Sequence, residues 1–94
     1  MQAASWALYE EVTWDRDGIT SRDWDSYPVI RFDNVPDIDV TVLTDSSHRS
    51  VGAGEASPGP TVAAIANAIF AATGLRLQRM PFTPNTITQA AFDL

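Results

Sequence analysis

The chain has 94 residues, of which 45% are hydrophobic and 19% charged, with a net charge of −6, no cysteine, no lysine and one histidine. These values predict one globular domain with a modest core. Without cysteine the chain has no disulfide, thiolate zinc site, iron–sulfur ligation or Cys nucleophile, and a single histidine nearly excludes a His-based metal site. Ten of the twelve acids lie in residues 1–45 and no basic stripe exists, which argues against nucleic-acid binding.

Neither a membrane span nor an export signal is predicted. No apolar run approaches the roughly 18 residues that a span needs. No basic residue precedes an apolar core at the start of the chain. The first residues are typical of an initiator Met placed on a segment of a longer protein.

The N-terminal part predicts one helix followed by turns and loops. Residues 2–12 are rich in helix formers and carry apolar side chains at helical spacing, which favours a helix. The sequence Asp-Arg-Asp-Gly at 15–18 is typical of a turn, with Gly18 supplying positive φ. A polar and aromatic crossing loop is expected next, and then a short edge strand over residues 28–32.

The best strand pattern lies at residues 38–43. Every second residue there is a branched apolar one, namely Ile38, Val40 and Val42. A period of two predicts a β-strand with one buried face.

A small-residue loop over residues 46–60 leads into a predicted helix over residues 61–73. Pro60 suits the first helical position, and Gly74 suits the residue after the last turn. A last helical turn or two is expected after Thr86.

The helix predicted over residues 61–73 has no polar stripe. Its polar side chains, Thr61, Asn67 and Thr73, are six residues apart, so at about 100° per residue they point in three directions. A helix that is apolar on every side is normally buried all round, and a small domain has little chain to surround it. We therefore expect polypeptide outside these residues to cover this helix. Asn67 is expected to tie the helix to a neighbouring loop, or else to be half-exposed.

Several motifs together resemble one protein family. They are Gly52-Ala53-Gly54-Glu55-Ala56, Pro60, Ala63 to Phe70, Ala72-Thr73-Gly74, Arg76, Pro81 and Thr83-Pro84, and, upstream, Trp6 to Glu11 and Tyr27-Pro28-Val29. Over nearly its whole length the chain resembles the C-terminal segment of the molybdopterin-binding large subunit of the xanthine dehydrogenase, or molybdenum hydroxylase, family. Within that family it looks most like the bacterial isoquinoline 1-oxidoreductase, nicotinate dehydrogenase and aldehyde dehydrogenase subunits.

The resemblance implies that Glu55 is catalytic. In that family the glutamate of the Gly-x-Gly-Glu loop lies beside the molybdenum without ligating it, and it is the base of a hydroxylation that uses water-derived oxygen. The same resemblance implies that Gly52, Ala53 and Gly54 let the backbone approach the cofactor closely.

The residues by themselves permit this role for Glu55 without requiring it. A carboxylate is a useful base near neutral pH only where burial raises its pKa. Glu55 is the lone acid between Asp45 and Asp93, in a small and otherwise apolar stretch, which is a setting for a perturbed site. The alternative is a solvated loop carboxylate near a helix N-terminus. Without the resemblance, this alternative is favoured.

The resemblance also implies an intact bacterial enzyme that holds a molybdenum–molybdopterin cofactor and oxidises an N-heterocycle or an aldehyde. The partners it implies are the remainder of the molybdopterin-binding subunit, an iron–sulfur electron-transfer subunit and, in some enzymes, a haem protein. No recognisable pterin site lies within the 94 residues, so the chain alone is expected to bind no cofactor and to be inactive. Cytoplasmic and periplasmic locations both stay open.

Other candidate motifs carry less weight. The glycine spacing 52, 54 and 59 does not match G-x-G-x-x-G, and a P-loop needs lysine, so nucleotide binding is disfavoured. His48 has no second His or Cys and is expected on the surface. Glu10 and Glu11 are expected to be solvated, because adjacent residues on a helix point apart.

Two further groups have simple structural explanations. The aspartates at 15, 17, 23 and 25 hint at calcium but lack the closing Glu of an EF-hand loop, so turn chemistry explains them better. The tryptophans at 6, 14 and 24 are expected to be core or interface aromatics.

The predicted fold class is α+β. Residues 1–94 are expected to form a single domain, a small helix–strand–helix part of a larger cofactor-binding domain. Two functions stay open. The chain is either part of a molybdenum-dependent hydroxylase, or a non-catalytic interaction or assembly module that docks through its apolar helix.

Overall fold

The computed structural model describes residues 1–93, which form three helices and one two-stranded sheet. In chain order the elements are α1 (Gln2–Leu8), β1 (Trp14–Asp15), β2 (Gly18–Ile19), a 3₁₀ helix (Phe32–Asn34), α2 (Pro58–Thr73) and α3 (Pro84–Phe92). Separate helices beside an antiparallel hairpin make a small α+β structure, as the sequence predicts.

Helix α1 is shorter than the predicted 2–12. Helical geometry ends at Tyr9, whose φ and ψ are −132° and −38° and whose N–H donates to Ser5 O. The Ser5 hydroxyl donates to the Glu10 carboxylate, which folds the chain back on the last turn. Glu10 and Glu11 therefore lie beyond the helix instead of on it.

The turn predicted at residues 15–18 is confirmed. It joins β1 to β2 in an antiparallel pair in which Trp14 lies opposite Ile19. Gly18 has φ of 129°, a conformation that side-chain-bearing residues rarely adopt. The Asp17 N–H donates to Asp15 Oδ1 over 2.8 Å, so the aspartate closes the turn.

The strands predicted at residues 28–32 and 38–43 are wrong for residues 1–93. A strand needs a neighbour to accept and donate its backbone hydrogen bonds, and no described segment pairs with either one. Ile38, Val40 and Val42 are 59%, 74% and 76% exposed. The face that the alternation predicts to be buried therefore lies open.

The main helix, α2, is confirmed, with a start slightly earlier than expected. It begins at Pro58 instead of near Pro60, and it ends at Thr73. Gly74 follows with φ of 75°, and its N–H donates to Phe70 O over 2.8 Å. Gly74, in the left-handed conformation, thus provides a hydrogen-bond donor for a carbonyl in the last turn of α2.

Helix α3, predicted as a turn or two after Thr86, runs from Pro84 to Phe92. Thr83 is its N-cap, because Thr83 Oγ1 accepts the N–H of Thr86 over 3.2 Å.

The core lies where α1 crosses α2 and meets the segment before α3. Ala7 is fully buried, and Leu77 and Phe82 pack with it. The Phe82 N–H donates to Ala7 O over 2.7 Å, just after the cis peptide bond between Met80 and Pro81. Partly buried residues surround this cluster: Leu8, Val62, Ile65, Ala66, Ile69, Leu75, Ile87 and Ala90.

The described chain is more open than a compact domain of its size. Its accessible surface is 7988 Å², whereas a compact monomer of this mass exposes about 5,300 Å². The Cα radius of gyration is 16.7 Å, against roughly 12 Å for a compact domain of this length. The core is therefore smaller than the sequence led us to expect.

Only one side of α2 is packed. Val62, Ile65 and Ile69 face the core, whereas Ala64, Ala68 and the rest of the opposite side are exposed. That polypeptide outside these residues covers the exposed side of this helix stays a prediction. No helix in the described chain is long and apolar enough to cross a membrane.

Candidate functional site

The Gly52-Ala53-Gly54-Glu55 segment is an exposed loop ahead of α2. A Cβ added at Gly52 or Gly54 would meet no atom within 4 Å, and neither glycine has positive φ. The local backbone therefore does not itself require glycine at these two positions. Small residues would matter if another group approached the loop from outside.

The loop backbone and the Glu55 side chain are free of internal contacts. No backbone–backbone hydrogen bond involves residues 51–56 among the described residues. Across residues 1–93, no hydrogen bond or ion pair of the Glu55 carboxylate is formed. The N–H groups of the loop and the carboxylate of Glu55 are thus available to a partner outside the described chain.

Glu55 lies three residues before Pro58, the first residue of α2. The positive end of a helix dipole favours a nearby carboxylate. This placement agrees with the simpler alternative from the sequence, a solvated loop carboxylate. Glu55 is exposed. Residues 1–93 therefore do not provide the burial that a general base needs near neutral pH.

A groove in the described chain lies away from this loop. It measures about 730 Å³ and runs between the segment before α3 and α3 itself. Arg79 and Asn85 are on its walls, and neither Glu55 nor the glycine loop lines it. The groove and the loop are therefore separate features.

The single histidine belongs to a surface turn, as predicted. His48 Nδ1 lies 2.9 Å from Asp45 Oδ2 and 3.3 Å from Ser47 Oγ. Both neighbours use the same ring nitrogen, so the three residues do not form the relay of a serine hydrolase, in which Ser and Asp bond opposite ring nitrogens. Hydrogen bonds from Ser47, first from its hydroxyl and then from its backbone, lower the pKa of the Asp45 carboxyl.

Two of the four aspartates that hinted at calcium, Asp15 and Asp23, close turns instead. Asp23 Oδ1 accepts the N–H of Ser26 over 2.9 Å and also accepts its hydroxyl, and these bonds lower the pKa of Asp23. Within residues 1–93 no three His, Cys, Asp or Glu side chains gather closely enough to hold a metal ion.

A polar network around Ser5 was missed from the sequence. Ser5 is buried, and its hydroxyl donates to Glu10 Oε1 and accepts the N–H of Ile30 over 2.9 Å. The Tyr27 hydroxyl donates to Glu10 Oε2 over 2.8 Å. The expectation that Glu10 is a solvated charge is therefore wrong, because its carboxylate joins α1 to the segment at residues 27–30.

Two of the three tryptophans are surface residues in the described chain. Trp14 and Trp24 are largely exposed and Trp6 is half-buried. A core role is therefore excluded for Trp14 and Trp24 within residues 1–93, and an interface role stays open.

Asn67 is held by the segment that follows α2. Its Oδ1 accepts a hydrogen bond of 2.9 Å from Arg76 Nη1, and the Arg76 guanidinium lies 3.8 Å from the centre of the Phe70 ring. Asn67 itself is exposed. The predicted link between the helix and a neighbouring loop is confirmed.

Comparison with known proteins relates the chain to segments of much longer dehydrogenases. It is 38% identical over 90 residues to a nicotinate dehydrogenase subunit of Pseudomonas putida, and this match covers 96% of this chain and 8% of that protein. It is 42% identical over 65 residues to the membrane-bound aldehyde dehydrogenase (pyrroloquinoline-quinone) of Gluconacetobacter polyoxogenes, and this match covers 67% of this chain and 8% of that protein. No protein-family model and no solved structure matches.

The chain thus spans about 8% of the length of these curated relatives. The resemblance to nicotinate and aldehyde dehydrogenase subunits is confirmed at the level of a shared segment. The chain is homologous to a short part of large dehydrogenase polypeptides.

Proposed function

We propose that the chain is part of the molybdopterin-binding subunit of a molybdenum hydroxylase, and that Glu55 is the general base of that enzyme. The observation that carries the proposal is the match to the nicotinate dehydrogenase polypeptide of P. putida. It extends over 96% of the chain, so it includes the Gly52–Glu55 loop. The proposal thus combines the Gly-x-Gly-Glu motif with a relative that is named as a dehydrogenase.

The loop fits one side of a site for an anionic cofactor. Gly52, Ala53 and Gly54 offer small side chains and N–H groups that make no backbone hydrogen bond among the described residues. Such N–H groups, close to the start of a helix, suit a phosphate-bearing ligand. We propose that this backbone touches the molybdopterin cofactor. When bound, the cofactor would supply the two-electron oxidation.

Glu55 would then hold and move a proton. Its carboxylate is unpaired within residues 1–93 and follows directly on the small residues that allow close approach. A base near neutral pH gains from burial. The remainder of the subunit would therefore have to cover this loop, exclude water and hold the substrate against the carboxylate.

The substrate class follows from the same proposal. An N-heterocycle or an aldehyde has an electron-poor carbon that water-derived oxygen can attack, and the names of the two relatives specify nicotinate and aldehyde. Electrons would leave through an iron–sulfur subunit or a haem protein, because this chain has no cysteine to hold a cluster. The 94 residues alone would be inactive and would bind no cofactor.

The test is Glu55→Gln in the intact enzyme. The substitution keeps the size of the side chain and removes its ability to accept a proton. Turnover of the reducing substrate should fall by at least roughly 10²-fold, the lower end for losing a general base, with molybdenum content unchanged. Glu11→Gln, which alters another exposed carboxylate, is the matched control and should keep the parent rate. An unchanged rate in Glu55→Gln would mean that the base is another residue.

A non-catalytic assembly module is the second candidate. It is favoured by the unpacked side of α2, where small apolar residues and part of Phe70 are exposed. The reading frame of the DNA before Met1 separates the two candidates. A frame that continues into the rest of a molybdopterin subunit supports the enzyme, and a stop codon directly upstream supports the module.

A free-standing nucleotide binder is the least supported candidate. The glycines at 52, 54 and 59 do not have fingerprint spacing, and no βαβ unit is present in residues 1–93. NAD or ATP should leave the thermal unfolding temperature of the chain unchanged. A saturable rise in that temperature would favour the nucleotide binder.

A further inference from the structure

The backbone of residues 36–44 has no partner in the described chain. None of its N–H or C=O groups makes a backbone hydrogen bond among residues 1–93. The side chains of Ile38, Val40 and Val42 are all mostly exposed. An unpaired backbone with branched apolar side chains is a template onto which another strand can add.

The alternating pattern would present such a strand with two distinct faces. Ile38, Val40 and Val42 would lie on one face, and Asp37 and Asp39 on the other. Directly opposed unlike charges stabilise a strand pair, whereas like charges destabilise it. The matching strand should therefore be apolar on one face, with basic or uncharged polar residues opposite the two aspartates.

A second copy of the chain is a poor partner. Each copy carries a net charge of −6, and the two would repel each other. An isolated pair of strands is also only marginally stable in water. The partner strand should therefore be the edge of a sheet that already exists.

Such a sheet is not found in residues 1–93, where the sheet consists of β1 and β2 with two residues each. The relatives offer a source for it. Each is matched over only 8% of its length, so most of a polypeptide of that kind lies outside the homologous segment.

We infer that residues 37–42 add as a β-strand to the edge of a sheet in the remainder of the dehydrogenase subunit. The apolar face closes on that subunit, and the aspartate face meets basic or polar side chains. This inference rests on the proposed function only in that the chain is part of such a subunit. Glu55 has no role in it.

The experiment compares two proteins by residue-resolved amide hydrogen exchange. One is the 94-residue chain alone. The other is the matching nicotinate dehydrogenase polypeptide of P. putida in which this chain replaces the homologous 90 residues. Exchange within residues 37–42 should be at the unprotected rate in the chain alone and at least about 100-fold slower in the chimera. Protection should fall on alternate amides, because a strand directs every second N–H to one neighbour.

Val40→Pro and Thr41→Pro, made separately, test whether backbone pairing causes the protection. Consecutive N–H groups of a strand point to opposite sides, so one of the two prolines removes an N–H that faces the neighbouring strand and disrupts the ladder. Because Val40 and Thr41 make no hydrogen bond in the described chain, both 94-residue variants should keep the wild-type circular dichroism and unfolding midpoint. In the chimera at least one of the two variants should abolish the protection of residues 37–42 and lower the yield of assembled enzyme at least about tenfold. Ser50→Pro, in the same exposed loop but outside the proposed strand, is the matched control and should retain both.

Three results would overturn the inference. Residues 37–42 could exchange freely in an assembled chimera, both proline variants could assemble and protect like the parent, or the chimera with the unmutated sequence could fail to assemble. Protection that appears in the isolated chain and grows with its concentration would overturn it in favour of a second copy. A chimera that protects residues 37–42 but is unaffected by Glu55→Gln would refute the proposed base alone.

Discussion

The hydroxyl of Tyr27 donates a 2.8 Å hydrogen bond to Glu10 Oε2, across seventeen positions of the sequence. The other oxygen of the same carboxylate accepts the hydroxyl of Ser5, which also receives the N–H of Ile30. One carboxylate thus fastens the crossing segment to α1, although no local pattern in the sequence indicates the pairing.

The bond to Glu10 predicts a pH dependence of stability. It raises the pKa of the Tyr27 hydroxyl above its ordinary value of 10.0, chiefly through the hydrogen bond to that carboxylate. A raised folded-state pKa means that the contribution is complete below about pH 10 and is lost as pH rises through the folded-state value. The urea midpoint should therefore fall at alkaline pH, and part of that fall should disappear in Tyr27→Phe. Tyr9→Phe is the control and should behave like wild type, and an identical alkaline fall in Tyr27→Phe would contradict the assignment.

Ser5→Ala should lower the free energy of unfolding by about 1–3 kcal/mol, because it leaves the N–H of Ile30 and the carboxylate of Glu10 short of a partner. Urea unfolding followed by circular dichroism measures the change. Ser50→Ala, at an exposed position, should stay within about 0.5 kcal/mol of wild type. Equal effects of the two substitutions would show that the network adds nothing.

Because the core is small, we expect alanine substitutions at two leucines to differ strongly in their effect on the free energy of unfolding. Leu77 is 8% exposed and packs on Ala7, whereas Leu43 is 91% exposed. Leu77→Ala should cost roughly 2–5 kcal/mol of unfolding free energy and bring the isolated chain close to unfolding. Leu43→Ala should change it by less than about 0.5 kcal/mol. Thermal unfolding of both variants checks the pair, and a comparable loss in Leu43→Ala would mean that residue 43 is packed.

The end of α2 offers a matched pair of glycines. Gly74 has φ of 75°, so Gly74→Ala should cost about 1–2 kcal/mol in left-handed backbone strain. Gly59 lies in the first turn of α2, and a Cβ there meets nothing within 4 Å. Gly59→Ala should therefore be neutral, or stabilise by up to about 1 kcal/mol. Denaturant midpoints that move in the same direction for both would refute the role of Gly74 as the cap.

Turns and helix ends, which depend on residues close together in the sequence, were predictable from it. The turn at residues 15–18 and the end of α2 at Gly74 follow from glycine at positions of positive φ. Proline near the start of α2 likewise indicates where that helix begins, within two residues.

Features that depend on distant partners were not predictable in the same way. The alternation at residues 38–43 indicates a strand correctly only if another strand is available, and residues 1–93 do not contain one. The Ser5 network joins positions 17 and 25 residues apart. Glu55 was identified as a candidate through a motif, and the burial that a general base needs would have to come from chain outside residues 1–93, where Glu55 is exposed.

No backbone–backbone hydrogen bond forms over residues 36–56 of the described chain, which has a consequence for protease digestion. Proteases cut where the backbone can leave the fold cheaply, so a brief digestion should nick the isolated chain there first. The two products would not separate at once, because Ala7 is enclosed by Leu77 and Phe82 from the other product. A nicked molecule should therefore migrate as one species in native buffer and as two peptides in denaturant.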